Sequence, residues 1–180
     1  MRSRRIPQAL LLLVVIPAMA FTSVLAETPP AENFVAHLSG DQEVPLRESS
    51  AVGQAIFQLH DDGSALSYRL IATNIDNIVA SHIHIAPLGV NGPVVAFLAG
   101  PFPAAGGRHN GILAEGTINA ANLVGPLAGM DFSLLVAALR TGGAYVNVHT
   151  NDGIDPTNEG PGDFPGGEIR GQIRTAGPSE

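Results

Sequence analysis

The stretch AYVNVHTNDGIDPTNEGPGDFPGGEIRGQI, residues 144–173, indicates the fold class, because it places two β-like runs around a loop. In the first run polar residues alternate with Val146 and Val148, and in the last run with Ile169 and Ile173. A period of two is typical of a strand that packs one face on a core. Gly, Pro and Asp dominate the segment between the runs, which predicts a long loop. The chain should therefore end in two strands.

The same alternation recurs upstream at short intervals. A strand is predicted at 33–39, ending before Pro45, which cannot donate to a sheet ladder. The segment 53–75 contains two alternating runs around an Asp-Gly pair, which is a strong hairpin signal. Two further short strands are predicted within 80–100, and another at about 111–118. These strands are separated by turns rich in Gly and Pro.

One segment changes period. Within MDFSLLVAALRTGG, residues 130–143, the apolar residues recur at helical spacing, and Asp131 can cap the start of a helix while Gly142 can end it. The residues on the apolar face are Phe132, Leu135, Val136 and Leu139. The sequence therefore predicts an all-β domain, an antiparallel Greek-key β-sandwich or barrel with one short helix.

The first residues have the pattern of a secretory signal peptide, with a basic start, an apolar run and small residues before a polar segment. Cleavage is predicted after Ala26. The expected organisation is a signal peptide at 1–26, a polar linker at 27–32, a domain at 33–174 and a tail at 175–180. The mature protein is expected to be secreted or periplasmic.

The charge balance argues against two classes of partner. The chain has 9 Lys+Arg and 16 Asp+Glu, and every basic residue is arginine. Removing residues 1–26 removes three arginines, so the mature charge is 6 − 16 = −10. Nucleic acids and anionic membranes are not expected partners, because both attract clustered positive charge. The chain has no cysteine, so neither disulfides nor thiolate metal sites are available.

Three histidines are the candidate site. His82 and His84 alternate in SHIHI and should share one strand face, and His149 ends the first run of the opening stretch. If these two strands are neighbours, three imidazoles converge, and such a set suits copper or zinc. The alternative is a structural polar cluster whose histidines only bind backbone or carboxylate groups.

The remaining histidines are predicted to lie away from this site. His37 should point to solvent or to the rim of the core, and His60 and His109 should be exposed. Either of the last two could supply a fourth ligand.

The loop after His149 carries four acids that could offer oxygen ligands to calcium, although their spacing fits no EF-hand. A solvated acidic loop is the simpler interpretation. Those acids are Asp152, Asp155, Glu159 and Asp163. In the last strand, Arg170 is expected to pair with Glu168 or another acid, or alternatively to guide an anion.

The sequence offers no catalytic residue and no cofactor-binding loop. It contains no cysteine nucleophile and no Gly-x-Ser-x-Gly pattern, and no Gly-rich segment opens a helix after a strand. A non-catalytic protein is therefore favoured, with enzymatic activity left open.

Four stretches of the chain together resemble the CHRD domain, a module first described in the growth-factor antagonist chordin and found in many microbial secreted proteins. They are LSGDQEVP (38–45), SHIHIAPLGVNGPVV (81–95), YVNVHT (145–150) and FPGGEIRGQI (164–173). The resemblance covers 33–174 and implies an all-β, Greek-key-like domain. Growth-factor binding is not carried over, because chordin's cysteine-rich repeats have no counterpart here.

A more distant resemblance is to Cu/Zn superoxide dismutase, a Greek-key sandwich. His82, His84 and His149 would match three of its copper ligands in order. No disulfide is possible in this chain, and neither a bridging histidine nor a zinc-site set can be assigned.

The sequence thus favours a secreted, non-catalytic binding or structural module with a histidine site for copper or, as second choice, zinc. A copper-dependent redox enzyme of superoxide dismutase type is one alternative. The other is an extracellular protein-interaction module without metal. The expected partner is accordingly a metal ion or an extracytoplasmic protein that the sequence does not name.

Overall fold

A computed structural model describes residues 32–177. The strands are β1 (Asn33–Ser39), β2 (Val52–Leu59), β3 (Ala65–Asp76), β4 (Ile78–Ile85), β5 (Val94–Ala99), β6 (Arg108–Asn119), β7 (Ala144–Thr150), β8 (Ile169–Gln172) and β9 (Arg174–Thr175). The helix α1 is Ser133–Arg140. Short 3₁₀ turns lie at Gly40–Gln42, Ala120–Asn122 and Gly125–Leu127. This confirms the predicted all-β class with one short helix.

All strand pairs are antiparallel, and the strands follow the order β5-β4-β7-β8-β1-β2-β3-β6, with β9 beside β1. The chain runs from β1 to β3 as a meander and then crosses to β4 on the other side of the sheet. A meander followed by such a crossover is a Greek-key connection. The predicted Greek-key topology is therefore confirmed.

The sheet curls into a nearly closed barrel because its two end strands, β5 and β6, approach each other. The Tyr68 hydroxyl on β3 donates to the Leu98 carbonyl on β5 across 2.7 Å. On β5 the Val95 carbonyl accepts from the Val124 amide at 2.9 Å. These contacts satisfy part of the exposed edge that an open sheet would present to other chains.

The core fills the inside of this barrel and follows the alternation of the sequence. In the first hairpin Ala55 and Leu59 on β2 face Leu70 and Leu66 on β3, and all four are buried. Every residue of the predicted helix face joins the same core: Phe132, Leu135, Val136 and Leu139. The Asp131 carboxylate accepts from the Ser133 amide and so caps the first turn of α1, as predicted.

The candidate site lies on the outer face of β4, β7 and β8. Ile83, Val146, Val148 and Ile169 point into the core, so their neighbours in each strand point outward. Three loops cover this outer face, at residues 40–51, 86–93 and 151–168. Polar side chains on the outside of the barrel are consequently buried.

The predicted signal peptide at 1–26 and most of the linker lie outside the described residues, as does the end of the tail. In the part of the chain that is described, no helix is long and apolar enough to cross a membrane.

Candidate metal centre

His82, His84 and His149 form a cluster in which one ring nitrogen from each residue lies within 4.8 Å of the others. Strands β4 and β7 are direct neighbours, with His82 opposite Asn147 and His84 opposite Tyr145. Opposite residues of an antiparallel pair project from the same face, so the three rings converge. The condition set by the sequence, that these strands be adjacent, is therefore met.

The loop at 86–93 holds His84 in one orientation. Its Nδ1 lies 2.8 Å from the Gly92 carbonyl, which can only accept, so Nδ1 carries the proton. The ring stacks on Tyr145 with centroids 4.7 Å apart and planes at 10°. The Nε2 atom is buried without a hydrogen-bond partner. The Asn147 side chain lies close enough to raise the pKa of His84, although no contact of normal hydrogen-bond geometry joins it to Nε2. His84 therefore keeps a free lone pair inside the protein.

The loop at 151–168 holds His149 in the same way, through a backbone carbonyl. Its Nδ1 donates to the Pro165 carbonyl at 2.9 Å, which leaves the lone pair on Nε2. That Nε2 lies 3.1 Å from Nδ1 of His82, so His82 donates to it in the metal-free protein. The His82 ring also packs in a T-shaped arrangement with Phe97, a half-exposed side chain, with ring centroids 4.6 Å apart. One nitrogen of each ring, including Nδ1 of His82 and Nε2 of His149, consequently lies at the place where the three rings meet.

The surroundings keep these rings neutral. Burial, and then repulsion from His149 and His84, lowers the pKa of His82 from 6.5 to about 4. Burial lowers the pKa of His84 and of His149 as well, although each carbonyl acceptor opposes the shift. The Arg170 charge adds to the lowering at His84. Neutral imidazole is the form that binds metal, so near pH 7 protons do not compete for the site.

A second polar layer lies beneath the histidines. Glu43 is 6% exposed, and its Oε1 lacks a hydrogen-bond partner, as does Oδ1 of the buried Asn147. Burial raises the pKa of Glu43 to about 7, against the opposing charge of Arg170. Gly167 has φ +122, and a Cβ there would collide with the Glu43 carboxylate. Gly167, the second glycine of the FPGGE stretch, is therefore required beside the buried Glu43 carboxyl.

The predicted ion pair of Arg170 with Glu168 or another acid is wrong, because no ion pair among the described residues includes Arg170. Arg170 is fully buried and donates instead to the Val90 carbonyl at 2.9 Å and to Oδ1 of Asn91 at 3.1 Å. Its guanidinium carbon lies 3.4 Å from the centroid of the Tyr145 ring. The loop at 86–93 folds back over the sheet and offers these partners, and strand spacing alone does not reveal that contact.

Glu168 has a structural role that the sequence reasoning missed. Its buried carboxylate accepts from the Ser49 hydroxyl at 2.6 Å, the Thr150 hydroxyl at 2.7 Å and the Gly162 amide at 2.9 Å. These donors come from two covering loops and from β7. Glu168 therefore fastens the loops at 40–51 and 151–168 to the barrel.

The other sequence candidates do not join the site. His37 and His60 are exposed as predicted, whereas His109 is half-buried rather than exposed. Among the described residues, the three-histidine set is the one group of potential ligands that comes together, so neither His60 nor His109 supplies a fourth ligand. The loop acids do not gather around a common point either: Asp152 accepts from the Ile154 amide, and Asp163 from the Asn158 amide.

The family model of the CHRD domain matches residues 34–173, nearly all of the described chain. No curated protein matches the chain.

Proposed function

Because the chain belongs to the CHRD domain family over residues 34–173, we propose that it is a secreted, non-catalytic binding module that holds a copper or zinc ion at His82, His84 and His149. One observation carries the proposal: three neutral imidazoles converge, and two of them have their proton fixed away from the meeting point. A structural polar cluster would instead have its ring nitrogens satisfied by protein groups. Here Nε2 of His84 is buried without a partner.

The proposed ligand atoms are Nε2 of His84, Nε2 of His149 and Nδ1 of His82. The last two lie 3.1 Å apart. That spacing is close to the separation of two nitrogens that each bind one ion at about 2.0–2.1 Å. Metal binding then requires His82 to move its proton from Nδ1 to Nε2. The half-buried position of this ring leaves room for that exchange.

Copper and zinc are the ions that this ligand set suits. Imidazole binds both well, and no carboxylate of the described residues belongs to the group. The carbonyls of Gly92 and Pro165 would act as outer partners that hold two of the rings and raise their basicity.

Secretion is part of the proposal and rests on the N-terminal sequence. The signal peptide at 1–26, with cleavage after Ala26, would deliver the domain to the periplasm or the medium. CHRD domains are typically extracellular, which agrees with this route.

Isothermal titration of the mature, metal-free protein with Zn(II) and Cu(II) tests the proposal. We expect one ion per chain with a dissociation constant below about 1 μM. The triple variant His82→Ala/His84→Ala/His149→Ala should lose this binding. A matched variant, His37→Ala/His60→Ala/His109→Ala, removes as many histidines outside the cluster and should keep it. Equal binding by the two variants would overturn the proposal.

The redox alternative depends on copper. Three protein ligands leave one position of a four-coordinate ion for water or another small molecule, which is the arrangement of catalytic sites. A superoxide assay on copper-loaded protein would test this alternative. It becomes informative only after the titration has shown that copper binds.

An exposed apolar surface favours a second candidate function, protein interaction. On the outer side of β2, β3 and β6, Val52, Ile56 and Ile112 are 51%, 41% and 53% exposed. The half-buried Ile71 lies directly opposite Ile112 and links them. Apolar patches of this kind often mark binding surfaces. This function would take precedence if the titration finds no metal site.

A further inference from the structure

A buried cation stands one aromatic ring away from the candidate metal centre. The guanidinium carbon of Arg170 lies 3.4 Å from the centroid of Tyr145. The same ring stacks on His84 at 4.7 Å. Arg170 is 0% exposed, so water does not screen its charge at close range.

This charge has no close acidic partner. Among the residues that the structure describes, no ion pair within 4.0 Å includes Arg170. Its strongest hydrogen bonds go to neutral oxygens, of Val90 and Asn91. Glu43 is the acid on which its charge acts, and burial raises the pKa of Glu43 to about 7, so this carboxyl is only partly ionised at neutral pH.

The site itself adds no negative charge. Its three ligands are neutral imidazoles. Two aromatic side chains flank them, Phe97 in a T-shaped contact with His82 and Tyr145 against the face of His84. A nearby buried cation disfavours each added positive charge on a bound ion.

Resting on the metal centre proposed above, we infer that the site selects monovalent copper, Cu(I), over divalent copper and zinc. A divalent ion would be repelled by Arg170 about twice as strongly as a monovalent ion. Selection here acts through charge rather than through soft sulfur ligands, which the chain does not place at the site.

The wild-type protein provides the first test. The midpoint potential of bound copper should lie above that of the aqueous Cu(II)/Cu(I) couple, because a higher potential means that Cu(I) is bound more tightly than Cu(II). A potential at or below the aqueous value would overturn the inference while leaving the metal centre intact. Failure of Cu(I), Cu(II) and Zn(II) alike to bind would instead refute the proposed function.

Charge variants provide the second test. Cu(I) affinity is measured anaerobically by competition with bathocuproine disulfonate, and Zn(II) affinity by titration. Arg170→Gln should strengthen Zn(II) relative to Cu(I) by about tenfold, whereas Arg170→Lys, which keeps the charge, should change the ratio little. A ratio of Zn(II) affinity to Cu(I) affinity that is the same in both variants would contradict the inference.

Phe97 offers a matched pair that does not depend on the buried arginine. It is 50% exposed, so substitution there should leave the fold intact. Phe97→Asp places a negative charge beside His82 and should lower the copper potential. Phe97→Asn, whose side chain has the shape of aspartate but no charge, should lower the copper potential less. Equal potentials for Asp and Asn would show that local charge does not select the ion.

Discussion

At the scale of single residues, two backbone carbonyls decide what the histidines can do. Gly92 and Pro165 each accept from an Nδ1 atom, and so direct the Nε2 lone pairs of His84 and His149 inward. The sequence predicts that these rings share a face, since that follows from a period of two. It does not predict which nitrogen is free, because both carbonyls come from loops whose path no local pattern fixes.

Glu43 gives a prediction at this scale. The unfolded carboxyl loses its proton near pH 4.5, whereas the folded one keeps it to about pH 7. The contribution of Glu43 to stability is therefore present below about pH 4.5 and is lost as the pH rises toward 7. Between pH 5 and pH 8, the wild type should lose about 2 to 3 kcal/mol of its free energy of unfolding through Glu43. The Glu43→Gln variant should not show this loss. Urea unfolding of the metal-free protein at pH 5 and at pH 8 measures this difference in the free energy of unfolding.

The comparison of variant with wild type isolates Glu43, because the histidine titrations are common to both proteins. Glu48→Gln, at an exposed position, is the matched control and should follow the wild type. If Glu43→Gln and wild type lose the same stability between the two pH values, the buried carboxyl is not protonated in the folded state.

At the scale of elements, the strands follow from the sequence and the covering loops do not. The Asp-Gly pair predicts the hairpin of β2 and β3, and the apolar face of α1 is buried as its spacing indicates. The loops are held instead by long-range contacts such as that between Glu168 and Ser49. A single buried carboxylate can satisfy donors from distant segments, and no periodic pattern marks those donors.

Glu168→Gln tests this fastening. The amide group of glutamine cannot accept from all three donors, so at least one buried group loses its partner. We expect the free energy of unfolding to fall by about 2 kcal/mol. Hydrogen exchange should also become faster in the loops at 40–51 and 151–168, while the amides of β2 and β3 stay protected.

Glu48→Gln again serves as the control, since it removes an exposed charge within the loop at 40–51 and leaves Glu168 and its three donors in place. Uniform acceleration of exchange over the whole barrel would mean that Glu168 supports global stability alone. Unchanged exchange would mean that the loops are held by other contacts.

At the scale of the whole molecule, strand order brings the site together. The sequence predicts an antiparallel Greek-key domain, and the CHRD motifs cover nearly all of it, so the fold class is confirmed. The sequence alone does not predict that β4 and β7 are neighbours, because 58 residues lie between Ile85 and Ala144, the paired ends of the two strands. The pairing is a property of the closed sheet, in which each strand's neighbours are settled by the burial of the common core.

Whether His82, His84 and His149 form one metal centre can be measured by ¹⁵N NMR of the imidazole nitrogens during zinc titration. Before zinc, the protons should reside on Nδ1 of all three rings. With one equivalent of zinc, Nε2 of His84, Nε2 of His149 and Nδ1 of His82 should move to metal-bound shifts, and the His82 proton should appear on Nε2. Spectra of the three rings that stay unchanged at saturating zinc would show that these histidines do not form a metal centre.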